Sequence, residues 1–308
     1  MTQPLRIGTR GSPLALAQAH ETRDRLIAAH PHLAAPGAIE IVVFKTTGDR
    51  ILDRTLAEAG GKGLFTKELE DALLDGRADL AVHSMKDVPT WLPDGLEIST
   101  LLPREDTRDA FFSRAGQGVD DLPAGSVVGT AGLRRQAQIL ERRPDLTVVP
   151  FRGNVQTRLA KLDAGEVDAT LLALAGLRRL GLTDRITAVL EPEVMLPAVA
   201  QGAIGIEIRS ADDATRALLA PLHCHQTAAR VGAERALLAA LDGSCRTPIA
   251  ALSTLDGDRL TLKAKVLSPD GRQVFRAERA GAAVDAVALG ADAGAEIKAV
   301  LPPDFFLP

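Results

Sequence analysis

Val127-Val128-Gly129-Thr130-Ala131-Gly132-Leu133-Arg134-Arg135 reads as a short apolar strand, a turn of small residues and a helix start. The pattern recurs downstream. Leu146 to Phe151 is a strand leading into a helix from Asn154, and Ala169 to Leu174 is a third strand. Upstream, Leu5 to Thr9 reads as a strand, followed by Ser12 as N-cap and Pro13 at the first position of a helix to about Ala29. The apolar run Ile39 to Phe44 predicts a buried strand. Phe65, Leu69, Ala72 and Leu73 recur at i, i+4, i+7 and i+8, the stripe of an amphipathic helix. Leu80 to His83 is a further strand, with Ser84-Met85-Lys86-Asp87 just past its C-terminal end. Strands alternating with helices predict an α/β fold with mixed, mainly parallel sheets. In such sheets ligands bind beyond the carboxyl ends of the strands.

Two units emerge from this pattern, and a third follows. The second starts near Arg104 and ends in the turn-rich crossing segment Glu191-Pro192-Glu193 to Pro197. Ala203 to Arg209 reads as a strand returning to the first unit. From Pro221 the style changes to α+β. A helix from about Thr227 to Leu241 precedes the loop Asp242-Gly243-Ser244-Cys245. Leu260, Leu262, Ala264 and Val266 then alternate with polar residues as a half-buried antiparallel strand. A strand near Val274 and a helix from about Val284 to Val300 complete it. The expected domains are 1–103 with 198–220, 104–197, and 221–308.

Composition narrows the function. The chain has 308 residues, room for about two domains at roughly 150 residues each. Net charge is −4, with one Trp and no Tyr, so neither a global basic field nor a stacking surface for nucleic acid is expected. Of the 36 basic residues 28 are Arg, so only arginines at special positions count as evidence. Two cysteines, Cys224 and Cys245, give no disulfide framework and suit a reducing compartment. No 18-residue apolar run and no apolar N-terminal signal region appear, so a cytoplasmic protein with no membrane span is expected.

Four arginines hold special positions. Arg134 and Arg135 open one helix; Arg152 and Arg158 flank the start of the next, in Phe151-Arg152-Gly153-Asn154-Val155-Gln156-Thr157-Arg158. A cation at a helix N-terminus opposes the helix dipole. The same local rule broken twice marks a site, and guanidinium forks favour carboxylate or phosphate. Arg142-Arg143 read as a solvated helix face. Asp87, an acid in the same loop layer as the cations, is expected to face a cation that develops in the ligand. Cys245 lies in a Gly-Ser-Cys loop, where function concentrates, although a lone cysteine is usually a buried small hydrophobe. His223-Cys224-His225 has no second cluster at metal-ligand spacing, so no metal is expected. Gly8-Thr9-Arg10-Gly11-Ser12 lacks the Lys-Ser/Thr ending of a nucleotide loop. Gly60-Gly61-Lys62-Gly63 suggests a flap over a site.

Together these segments resemble the porphobilinogen deaminase (hydroxymethylbilane synthase) family over nearly the whole chain. The resemblance runs through Arg10-Gly11-Ser12-Pro13-Leu14-Ala15-Leu16, Gly60-Gly61-Lys62-Gly63-Leu64-Phe65 and Ala81-Val82-His83-Ser84-Met85-Lys86-Asp87-Val88-Pro89. It continues through Gly129-Thr130 to Arg135, Arg152-Gly153-Asn154, Leu196-Pro197-Ala198-Val199-Ala200-Gln201-Gly202, and Cys245. It implies two lobes like those of a periplasmic binding protein with the site between them, plus a smaller α+β C-terminal domain. It also implies a dipyrromethane cofactor, self-made from substrate and joined to Cys245 through a thioether. Four porphobilinogen units would be added in turn with loss of ammonia, and hydrolysis would release the linear tetrapyrrole hydroxymethylbilane to the next enzyme of tetrapyrrole synthesis. Loss of ammonia would leave an electrophilic azafulvene, and its attack by the terminal pyrrole passes through a cationic ring.

By that resemblance Asp87 would be the catalytic acid–base group, stabilising cationic pyrrole nitrogens. Arg10, Ser12, Lys86, Thr130, Arg134, Arg135, Arg152, Arg158, Arg179 and Gln201 would hold cofactor and substrate side chains, with Lys62 and Phe65 in the flap. Monomer is the family expectation. The chain departs from the family at Ala131 and Gly132, where hydroxyl residues are common, at Glu58, where Lys is common, and at Gly11. Six rings carry twelve carboxylates, more than these arginines can pair at once, so the growing chain is expected to shift, with hinges near Arg104 and Pro197. Two other classes fit parts of the pattern: a two-lobed solute-binding protein and a phosphate-binding regulatory domain. Neither uses Cys245.

Overall fold

The computed structural model of the chain describes residues 4–50, 63–243, 247–302 and 305. Cys245 and Lys62, and the departure at Glu58, lie outside the described residues. The chain runs β1 (Leu5–Arg10), α1 (Pro13–Ala29), β2 (Ile39–Phe44), α2 (Thr47–Arg50), α3 (Lys67–Leu74), β3 (Leu80–Ser84) and β4 (Leu96–Leu101). It continues with β5 (Asp109–Ser113), β6 (Val127–Gly129), α4 (Leu133–Arg142), β7 (Thr147–Val149), α5 (Val155–Asp163), β8 (Ala169–Ala173), α6 (Leu174–Leu180) and β9 (Ala188–Leu190). The last part is β10 (Ile204–Arg209), α7 (Asp213–Leu219), α8 (His225–Ala240), β11 (Ile249–Asp256), β12 (Arg259–Leu267), β13 (Val274–Ala282) and α9 (Ala286–Val300).

Two compact units result. The first takes in Met1–Leu52, Ala59–Glu105 and Gly202–Ala228; the second is built mainly from Asp106–Gln201 and Ala229–Pro308. The first unit holds the sheet β2-β1-β3-β10-β4. Strands β1, β2 and β3 pair in parallel, while β10 is antiparallel to both β3 and β4. Four of its five strands therefore run one way. The second unit repeats the arrangement as β7-β6-β8-β5-β9, with β5 as the reversed strand. These are the mixed, mainly parallel sheets the sequence predicts. In each sheet the reversed strand is the first one after the chain enters that unit from the other.

The core of the first unit joins Ile7, Leu26, Leu80, Val82, Ile204, Ile206 and Ile208. Both faces of the second sheet are covered, by Phe112, Phe151, Leu159 and Leu172 on one side and Phe111, Val128, Ile139 and Leu171 on the other. Each such side chain contributes about 1.5–3 kcal/mol by leaving water. The second unit also holds the antiparallel sheet β11-β12-β13, against which α9 packs.

Three local readings are corrected. β2 is an edge strand rather than a buried one, because among the described residues only β1 pairs with it, and Val43 stays half exposed. Phe65 precedes α3 instead of lying on it; a turn occupies Gly63 to Thr66 and its ring packs elsewhere. The strand read as Leu146 to Phe151 is only Thr147–Val149, an edge strand whose ends serve turns.

Candidate active site

In the first unit, three sets of contacts fix the loop after β3. Ser84 exchanges two hydrogen bonds with Gln18 of α1, at 2.8 and 3.1 Å. Met85 N donates to Ala203 O at 3.0 Å, and Met85 is buried. Gly205 of β10 must be glycine, because a Cβ there would overlap the Met85 thioether. Beneath the loop, His83 and Glu207 form a buried pair. Burial pushes the carboxyl of nearby Glu70 up, and Glu207 adds to that shift. Lys86 and Asp87 then emerge half-buried on a short 3-10 turn, Met85–Asp87. Among the described residues the Asp87 carboxylate accepts no hydrogen bond and pairs with no cation. The loop thus presents a carboxylate without a partner among the described residues.

Two more residues of the first unit belong to strand ends. Arg10 ends β1, and its guanidinium lies 4.2 Å above the Phe65 ring. Phe65 in turn packs on Gly48, where a Cβ would collide with the ring. Such a cation–π contact helps to fix the direction of an arginine. Ser12 caps α1, accepting from Ala15 N at 3.3 Å.

In the second unit, α4 follows β6 through a turn in which Thr130 Oγ1 accepts from Gly132 N at 3.2 Å. Gly129 lets Phe151 approach, since a Cβ would lie 2.6 Å from its ring. Gly132 offers α4 no side-chain cap, whereas Asn154 caps α5 through Thr157 N at 2.8 Å. Arg134 and Arg135 occupy the first turn of α4, and both are buried. Arg134 donates from Nη2 to Asp109 Oδ2 at 2.7 Å and from Nη1 to Leu196 O at 2.6 Å. Arg135 donates from Nη2 to Asp109 Oδ1 at 2.8 Å. Gln201 Nε2 also donates to Asp109 Oδ1, at 2.9 Å, and to Thr107 O at 2.7 Å.

Burial alone would raise the Asp109 carboxyl, but the two guanidiniums outweigh it and hold the group well below the usual carboxylate range. Burial lowers Arg134, and Asp109 offsets part of that. One carboxylate cannot balance the cations gathered here. Arg158 is pulled down to about 10 by burial and by the charge of Arg135. Arg135 Nε, Arg152 Nη1 and Arg158 Nε are buried nitrogens without a hydrogen-bond partner among the described residues. An unpaired buried cationic donor is costly, so this donor set calls for an anion. Carboxylates match guanidinium forks, and dipyrromethane and porphobilinogen are rich in carboxylates, so the residues fit such a group. Arg179 lies in the last turn of α6, where a cation suits the helix dipole.

Sequence reading missed Asp109, Glu70 and Glu207. The signal for Asp109 was present: an acid opening the apolar run Ala110-Phe111-Phe112 must be paired if buried. Glu207 likewise interrupts Ile204-Gly205-Ile206 and Ile208 in a central strand. Among the described residues no group of three or more His, Cys, Asp or Glu could hold a metal.

Comparisons with known proteins fit this construction. Residues 5–217 match the family model described as porphobilinogen deaminase, dipyromethane cofactor binding domain, and residues 228–299 match the C-terminal domain of the same family. The chain belongs to the porphobilinogen deaminase family. A porphobilinogen deaminase of Paracoccus denitrificans is 59% identical over 98% of this chain and 96% of its own. A chloroplastic one of Oryza sativa subsp. japonica is 59% identical, covering 98% and 85%. Among solved structures, a periplasmic substrate-binding protein from Coxiella burnetii aligns with TM-score 0.42 and 13% identity over 71% of this chain and 92% of that one.

Proposed function

We propose that the chain condenses four porphobilinogen molecules head-to-tail, with loss of ammonia, onto a covalent dipyrromethane primer and releases hydroxymethylbilane. Family membership over nearly the full length supports the reaction. The observation that carries the residue assignments is the set of buried guanidinium nitrogens on Arg135, Arg152 and Arg158 that await an anion. When bound, dipyrromethane supplies a pyrrole with a free α-carbon as the nucleophile to be extended.

The chain's own residues do the rest. Arg135, Arg152 and Arg158, with Arg134, Thr130, Gln201 and Arg179, hold acetate and propionate groups, as do Arg10, Ser12 and Lys86 of the first unit. Asp87, on a fixed loop and without a partner among the described residues, stabilises positive charge at pyrrole nitrogens and carries a proton to and from them. It can do so because among the described residues no cation is paired with it. Cys245, in domain 221–308, serves once as nucleophile and then as permanent tether. Lys62 and Phe65 belong to a flap. As the chain grows, older rings give up their arginines to newer ones. The protein acts as a cytoplasmic monomer; among the described residues no helix is long and apolar enough to cross a membrane.

Intact mass tests this reading. The purified protein should exceed the bare chain by two condensed pyrrole units, and Cys245→Ser should remove the excess. An active protein at bare chain mass would refute it.

A further inference from the structure

We infer that Asp109 is a positioning residue for carboxylate recognition: an internal carboxylate that aims Arg134 and Arg135 while leaving net positive charge for the ligand. The inference rests on the functional reading above, in which the arginines hold carboxylates.

Three observations carry it. Asp109 is fully buried at the first residue of β5, and each of its oxygens takes one guanidinium: Oδ2 from Arg134 at 2.7 Å and Oδ1 from Arg135 at 2.8 Å. Both arginines therefore share one planar acceptor, which fixes the direction of each fork. Next, the compensation is incomplete. Arg134, Arg135 and Arg158 set three cations against one carboxylate, and Arg158 is lowered first by burial and then by the charge of Arg135. Asp109 thus permits burial of the cluster without discharging it. Finally, the unused donors are well defined. Among the described residues Arg135 Nε has no partner while Nη2 is held, and Arg158 Nε likewise has none. A guanidinium anchored at one edge presents the other edge in a fixed direction, which is the arrangement that reads a carboxylate by geometry as well as charge.

Asp109 is itself held by Gln201, whose amide also bonds Thr107 O. The anchor therefore ties the entry to β5 to the end of the segment before β10. A residue that served only packing would not need three charge-assisted or polar donors on two oxygens.

The test uses Asp109→Asn in the full chain, assayed well below its melting temperature, with two readouts: the fraction of protein carrying the pyrrole mass, and KM against kcat in the loaded fraction. The expected result is a mostly unloaded protein. Its loaded remainder should show KM raised about tenfold, with kcat within about twofold of the parent, as for loss of binding shared by ground and transition states. Normal loading and normal KM, with only a lower melting temperature, would overturn the inference. If Asp109→Asn does not fold, Asp109→Glu keeps the charge and displaces it. It should raise KM at least about threefold, and an unchanged KM would again overturn the inference. Arg158→Gln separates the two levels of argument. If it loads and binds normally, the reading of the arginines themselves fails; if it is impaired while Asp109→Asn is normal, only the role of Asp109 fails.

Discussion

His83 Nε2 and Glu207 Oε2 lie 2.8 Å apart across the antiparallel pair β3 and β10, with both side chains buried. The loop carrying Asp87 leaves β3 one residue later. The pair therefore clamps the strand at the point where the loop carrying Asp87 departs. Truncating one partner strands the other in the interior. Glu207→Ala should cost about 3–5 kcal/mol by denaturant unfolding. A loss under about 1 kcal/mol would show that the pair does not hold the strands.

The close contact of Gly205 and Met85 transmits backbone position to the same loop. Gly205→Ala inserts a methyl group where the thioether lies, an overpacking worth about 1–3 kcal/mol. Because Met85 is two residues from Asp87, turnover should fall more than substrate affinity. Unchanged kcat with a normal melting curve would mean that the loop adjusts freely.

Asp87→Asn removes the charge and leaves the frame. It should still acquire porphobilinogen-derived adducts by intact mass but lose most turnover, on the order of 100-fold or more for loss of a general acid–base group. Near-normal turnover would take Asp87 out of the mechanism.

Acid stability should report Asp109. Its folded-state pKa is depressed, so its contribution is complete above the ordinary Asp value of about 3.9 and is lost as pH falls below that toward the depressed value. Glu70 has the opposite sign. Its pKa is raised, chiefly by burial, so its contribution is present below about 4.3 and is lost as pH rises through the raised value. Urea unfolding from pH 3 to pH 7 should therefore show Asp109→Asn flattening the acid side of the profile. Glu70→Gln should gain on the parent toward neutral pH. Identical slopes in parent and variants would contradict both assignments.

Much of this was legible in the chain. Ser12 and Pro13 announced α1, and Asn154 announced α5, because capping is local chemistry. The apolar run Leu80 to Val82 announced β3 because a central strand buries both faces. Ile39 to Phe44 carries a similar run but forms an edge, since edge or centre depends on which strands arrive beside it. Phe65 fits a helical stripe by spacing, yet it packs with Arg10 and Gly48, partners that spacing cannot name.

The sequence alone determined the alternation of strands and helices, the caps, the family, and the short list of arginines, the aspartate and the cysteine. All of these rest on neighbours in the chain or on motifs of fixed spacing. Tertiary structure alone decided that Asp109 lies under Arg134 and Arg135, that Glu207 meets His83, and that Asp87 is left without a partner among the described residues. Each depends on residues far apart in sequence, 25 or more positions for Asp109 and 124 for Glu207, meeting on adjacent strands and helices. Burial then makes those few charges count, because in the interior an unpaired charge cannot be left to water.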